Sequence, residues 1–338
     1  MKPVHKIVAN GLDISDAIND RLLSARTVDK PGIDSDDFEL RLDDRDGALA
    51  LPSRGVELAV YLGWEGEELA LLGKYTVDEV EVSGPPDTIV IRSKSSDTRG
   101  PAKTTRSDSW EGVPLASIVA DVAKRNGWTP ECPVQTLVER ADQLGESDLS
   151  FITRLAKQYG CTAKVADGKL LVLPIDSGKS ASGKALAKVT INKTDCSRYQ
   201  FRLGDDSVKE ASKAAYQDGD GNLKTVQVGN DGLDNQAPVH TDRHIHPNQS
   251  AAEAAAKARL EGFNRSQADV RLEMVGRTDV FAESPIGAVG FKDELDGEYL
   301  ADTVTQDWNA SGWVTTIECN AGNKGGKKDK PLKVIDVS

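Results

Sequence analysis

Residues 36–64, reading DDFELRLDDRDGALALPSRGVELAVYLGW, constrain the fold more tightly than any other part of this sequence. Phe38, Leu40 and Leu42 alternate with Glu39, Arg41 and Asp43, and the alternation returns through Val56, Leu58, Val60 and Leu62 after a break at Asp46-Gly47 and Pro52. A period of two places every second side chain on one face of a strand. The two runs predict neighbouring antiparallel strands joined by a long, partly apolar connection whose Gly and Pro set the corners. One face is expected to be core, the other wet or an interface.

Further along, Tyr75 and Val77 share one parity while Val80 and Val82 share the other. That switch predicts a β-bulge at Asp78-Glu79, of the kind that bends strands closing a barrel. With Ile89 and Ile91 supplying another strand, residues 1–100 read as a first β-barrel or sandwich. Beyond Pro101 the period becomes helical. Leu115, Ile118, Val119, Val122 and Ala123 form one stripe, with Pro114 suited to the first turn and Gly127 to the stop. A second helix at 148–159 has Ser147 as its cap, Leu149, Ile152, Leu155 and Ala156 as its stripe and Gly160 as its end. A hairpin over 161–175, turning at Asp167-Gly168, completes an inserted α+β domain at 101–176.

Residues 177–188 are small and polar, which predicts a linker. A second β set is expected over 189–321, interrupted by a long loop at 229–249 and one helix at 250–263. Ser250 and Glu253 predict a capping box there, and the helix is so rich in alanine that it must lean on a neighbouring surface. Residues 322–338, with Lys324, Lys327, Lys328, Lys330 and Lys333, read as a flexible tail.

At 338 residues the chain implies two to three domains. Its net charge of -12 is scattered along the chain, and the only basic cluster lies at the very end, which argues against a nucleic-acid surface. No run of 18 apolar residues suggests a membrane anchor, and MKPVHKIVANG lacks the apolar core of a signal peptide, so synthesis in the cytoplasm is expected. Cys132, Cys161, Cys196 and Cys319 are too dispersed for a zinc site or disulfide scaffold and read as small hydrophobes.

Candidate chemistry is sparse. His240, His244 and His246 lie with Asp242 in VHTDRHIHP; on a strand, Asp242, His244 and His246 would share a face as metal ligands must, but the Pro-bounded context favours a solvated loop. DGDGN at 218–222 begins like a calcium loop, yet Leu223 and Gly229 stand where Gly and Glu are required, so a hairpin turn is expected. GNKGGKKD at 322–329 lacks phosphate-loop spacing. There is no G-x-S-x-G or H-E-x-x-H, and scattered carboxylates such as Asp43, Asp44, Asp46 and Glu79 read as solvated faces. No catalytic residue, cofactor or required metal is therefore assigned, and the chain is not expected to be an enzyme.

The stretch at 36–64, together with ESDLSFITRLAKQYG at 146–160, resembles the phage late control D family, the baseplate hubs of contractile phage tails, tailocins and prophages, related to the front part of VgrG spike proteins. The resemblance covers about residues 5–320. It implies two similar, tail-tube-like β-barrels per chain in a homotrimeric ring, with the insertion at the periphery. Such a ring adapts a three-fold central spike to the six-fold tail tube, and its implied partners are the spike, the tube protein or tape measure, and other baseplate proteins. It also implies residence in the baseplate of a virion or tail-like particle.

Two expectations sharpen this reading. The trimer interface would use strand faces and edges of both barrels, including the apolar face of 38–42 and 56–62. Glu39, Asp43 and Glu57 would make the channel acidic and let phosphate-bearing cargo slide. A secreted-type glycan- or surface-binding β protein is the alternative, although aromatic residues form only 5% of the chain; a cell-wall hydrolase using scattered carboxylates ranks behind it.

Overall fold

The computed structural model describes residues 2–32, 36–95, 102, 104–166, 168–175, 186–203, 209–230, 238–322 and 332–337. It is mainly β, with four helices among the described residues. The first part holds β1 (Pro3–Ala9), β2 (Leu12–Asp13), α1 (Ser15–Ile18), β3 (Leu22–Asp29), β4 (Asp37–Asp43), β5 (Glu57–Trp64), β6 (Ala70–Ser83) and β7 (Thr88–Lys94). Their alternating apolar residues close one core that contains Ile7, Phe38, Leu40, Leu58, Leu62 and Ile89.

This corrects two expectations. The runs at 36–64 are not neighbours: β4 is bonded to β3 and β7, whereas β5 is bonded to β1 and β6. Strands β5 to β7 form a meander that returns to β4, so the 44–56 connection crosses two strands as in a Greek key. Alternation reports the face a residue takes and says nothing of which strand lies beside it; here Ile91 and Ile89 stand opposite Leu40 and Leu42. The apolar face is also no subunit interface. Leu40 and Leu58 are 1% and 3% exposed within the single chain, so a charge at either would disrupt the core.

The bulge lies where parity placed it. Val77 pairs with Ser93 and Glu79 with Arg92, leaving Asp78 without a rung. Among the described strands, however, the hydrogen-bonded path remains open and closes no barrel.

The insertion contains β8 (Thr105–Pro114), α2 (Leu115–Asn126), β9 (Thr129–Glu131), β10 (Leu137–Ser147), α3 (Asp148–Gln158), β11 (Cys161–Ala166) and β12 (Lys169–Pro174). The helix stripes meet the sheets around Ile118, Val122, Phe151, Leu155 and Leu170. Pro114 is the N-cap of α2, one place ahead of the first turn, and Gly127 takes the left-handed C-cap. Ser147 accepts the Ser150 N–H at 3.2 Å. Asp148 is fully buried at the start of α3 and is held by Gln143 Nε2 and Asn126 Nδ2, both at 2.9 Å, with Arg106 and Arg125 close by. The Asp167 half of the predicted turn lies outside the described residues, as does most of the 177–188 linker.

The last part comprises β13 (Val189–Asn192), β14 (Cys196–Leu203), β15 (Ala211–Gln217), β16 (Leu223–Asn230), β17 (Val239–His246), α4 (Gln249–Arg265), β18 (Ala268–Val275), β19 (Pro285–Val289), β20 (Gly297–Asn309), β21 (Gly312–Asn320) and β22 (Leu332–Val337). Three expectations change. The helix cap is Asn248, whose side chain accepts the Ala251 N–H at 2.8 Å, while Ser250 is already helical and Glu253 instead accepts from Gln249. The histidine stretch is strand β17, parallel to β15, rather than loop. Within the presumed tail, β22 pairs with β16. The leaning helix is as expected: Ala252, Ala256 and Leu260 rest on Ala214, Tyr216, Val226 and Val228.

The two large β parts are one sheet. Strand β20 pairs with β3 from Val304 opposite Asp29 to Trp308 opposite Ala25. Trp308 and Trp313 enter the first core, with rings 6.1 Å from Phe38 and 4.9 Å from Trp64. Trp64 Nε1 donates to the Gly276 carbonyl at 3.1 Å, and Trp313 Nε1 donates to Gln306 Oε1 at 2.8 Å. Gln306 in turn donates to the Arg277 carbonyl, so this buried amide is satisfied.

Gly276 is required by space. A Cβ there would stand 1.9 Å from Trp313 Cδ2. Gly276→Ala is expected to cost about 1–3 kcal/mol in chemical denaturation through overpacking. Gly297→Ala, where nothing lies within 4 Å, should remain within roughly 0.5 kcal/mol of wild type. Equal effects would contradict the packing account.

Candidate assembly interface

From β14 through β18, β21, β20, β3, β4 and β7 to β6, each neighbouring pair is antiparallel, so eight strands form one wall. One side of the wall faces the apolar cores. The other is mostly wet, with Val90, Thr305 and Thr316 buried among its charges, and register puts opposite charges side by side on it: Arg26 lies opposite Asp307 and Glu39, and Arg92 opposite Glu39 and Glu79. The resulting pairs include Arg92 with Glu39 (3.2 Å), Glu79 (3.3 Å) and Glu81 (2.9 Å), Arg271 with Glu318 (3.1 Å) and Arg26 with Asp307 (3.7 Å). Exposed pairs stabilise by less than about 1 kcal/mol each. Their consequence is a surface of interleaved charge.

The acidic stripe expected from sequence is thereby altered. Glu39 shares Arg92, and Asp43 is bridged to Arg45 at 3.2 Å. Glu57 lies on β5, outside the eight-strand wall.

A second feature ties the insertion to both ends of the chain. Lys164 on β11 reaches Asp29 Oδ1 at 3.2 Å, Asp36 Oδ1 at 2.9 Å and the Lys30 carbonyl at 3.3 Å. The other Asp29 oxygen accepts the Ala282 N–H at 2.8 Å. Burial, and then the Asp29 charge, push the Asp36 carboxyl up to about 6 against the pull of Lys164. Burial opposes the Lys164 charge, but Asp29 and Asp36 outweigh it and hold the ammonium above its ordinary value.

Of the residues singled out by sequence, Asp242, His244 and His246 come together on β17, while the others lie apart. His246 is buried with Nε2 3.3 Å from Asp242 Oδ2, its ring meets His244 at 5.0 Å, and His240 meets Phe263 at 5.0 Å. Among the described residues, no group of three or more His, Cys, Asp or Glu side chains is arranged to hold a metal. Asp218 accepts the Asp220 and Asn222 N–H groups, which makes DGDGN a hairpin turn between β15 and β16. GNKGGKKD lies outside the described residues after Gly322. All four cysteines are free; Cys161 and Cys319 are buried, Cys132 and Cys196 half-buried. An open cleft of about 610 Å³ lies between α3, β11 and β20, with Arg154, Lys157 and Asp302 at its walls. No helix among the described residues is long and apolar enough to cross a membrane.

An ion-paired eight-strand wall backed by apolar cores is thus the main feature of the surface. The phage tail baseplate hub family (GPD) matches residues 35–312, and the chain belongs to it. It is 30% identical to the probable baseplate hub proteins of Escherichia phages 186 and P2, over 94% of this chain and 92% and 93% of theirs. Its fold matches the 43 kDa tail protein of prophage MuSo2 from Shewanella oneidensis with a TM-score of 0.70 at 15% identity, covering 96% of this chain and all of that one.

The junction predicts a pH effect. Because Asp36 has a folded value near 6, above its ordinary 3.8, the folded chain binds an extra proton between about pH 4 and 6. Its contribution to stability is therefore full below that window and is lost as pH rises through about 6. Melting curves at pH 5 and 7.5 should show wild type gaining more on acidification than Asp36→Asn. Identical shifts in the two proteins would remove Asp36 as the cause.

Proposed function

We propose that this chain is the structural hub of a contractile phage tail or a phage-tail-like particle, acting as a homotrimer that joins a three-fold central spike to a six-fold tail tube. The observation that carries this reading is the β20–β3 weld. It fuses two β parts of one chain edge to edge, and among the described strands it leaves β14 paired on one side only, while at the other end of the eight-strand wall only residues 79–83 of β6 are paired on one side. Three such chains would supply six tube-like β-barrels, approximately 1–100 and 189–321 in each, around a passage. The insertion near 101–176 would stand at the periphery, where the Lys164 cluster fixes its angle. Family membership supports the same role, and it is a mechanical role rather than an enzymatic one.

The wet side of the wall would line the passage. Away from the β14 edge, its interleaved charges give a polyanion no clustered Lys or Arg to hold. Tube protein or tape measure and other baseplate proteins would be the remaining neighbours, after synthesis in the bacterial cytoplasm and assembly into the baseplate.

Light scattering tests the reading. A species of three times the 36.3 kDa chain mass is expected, alone or on addition of the spike protein. A monodisperse monomer under both conditions would contradict it.

A further inference from the structure

The wall has two ends with complementary chemistry. At one end β14 is bonded only to β18, and its other side is free among the described strands. At the other, β6 is bonded on both sides as far as Val77, but beyond the Asp78 bulge Glu79–Ser83 pair only with β7. Unpaired strand edges of this length are templates for further pairing.

Each edge has an apolar and a charged side. On the core side, β14 exposes Tyr199 (43%) and Leu203 (56%), and β6 exposes Val82 (57%). On the wet side, β14 carries Arg198 and Arg202, opposite Glu273 and Asp269 of β18, whereas β6 carries Glu79 and Glu81. One edge is thus basic and the other acidic on the same side of a continuous sheet. Strand direction agrees as well. With eight strands alternating, β14 and β6 run in opposite directions, so a second copy placed end to end would continue the antiparallel pattern.

Resting on the hub reading, we propose that the free edge of β14 pairs antiparallel with residues 79–83 of β6 in a second copy of this chain. In the register that sets Arg202 opposite the partner subunit's Glu79, Gln200 falls opposite the partner subunit's Glu81, which is then diagonal to both Arg198 and Arg202, and Tyr199 covers the partner subunit's Val82. Period two restricts the register: even-numbered β14 positions must face odd-numbered β6 positions, or charge would meet the core. The contact is heterologous, and repetition by a closing rotation gives a ring.

Charge reversal tests it. Arg198→Glu with Arg202→Glu, and separately Glu79→Lys with Glu81→Lys, should each weaken self-association by about tenfold or more while circular dichroism remains that of wild type. The chain carrying all four changes should regain the wild-type mass. A wild-type trimer untouched by either pair, or a four-fold variant that stays dissociated, would overturn the edge pairing and leave the hub reading standing. A wild type that never associates, with or without the spike, would instead sink the hub reading. If a reversal unfolds the chain, Arg198→Gln with Arg202→Gln and Glu79→Gln with Glu81→Gln replace it, with the same outcomes read as loss of association.

Discussion

The pairing of β20 with β3 is the constraint on which the rest of the structure depends. Without it the chain would hold two sheets on separate cores, and Trp308 and Trp313 would project from the second into solvent. With it, the two tryptophans enter the first core, Trp64 reaches back to the Gly276 carbonyl, and Gln306 finds its partners in a dry environment. Burying two indoles is worth several kcal/mol, more than the exposed ion pairs along the wet face provide. Apolar packing therefore holds the wall together, while charge sets the character of its surface.

The Lys164 cluster adds a different kind of bond. It holds the insertion, β3 and the connection before β19 at one point through two carboxylates and one ammonium. A partly buried cluster of this sort contributes less to net stability than its Coulomb attraction suggests, because desolvation opposes it. What it gives is a fixed geometry. Gly32 shows the same closeness, since a Cβ there would lie 3.2 Å from Thr162 Oγ1.

Much of this was legible in the sequence where the signal is local. The Asp78 bulge followed from parity, Ser147 from its place before an apolar stripe, and the leaning of α4 on a neighbouring surface from its small face. Partners of strands were not legible, because Leu40 and Leu58 alternate in the same way whether or not β4 and β5 touch. The apolar face also looked available for an interface, since a monomer core and a subunit contact select the same residues. Strand β17 gave no signal because an edge strand that is mostly exposed has no need to alternate. Asn248 was passed over for Ser250 because both are good caps, and only the chain's entry angle decides between them. The complementary edges were hidden for a similar reason: Arg198, Arg202, Glu79 and Glu81 look like ordinary solvated charges until β14 and β6 are known to be the two ends of one wall.

Hydrogen–deuterium exchange tests the central claim, that the hub is one welded wall extended edge to edge by its copies. Amides of β3 and β20 should be protected in the isolated chain, and the outward-facing amides of β14 and of 79–83, those not bonded to β18 or β7, should gain protection only on assembly. Fast exchange in β3 and β20, or edges that remain unprotected in the assembled ring, would contradict the account.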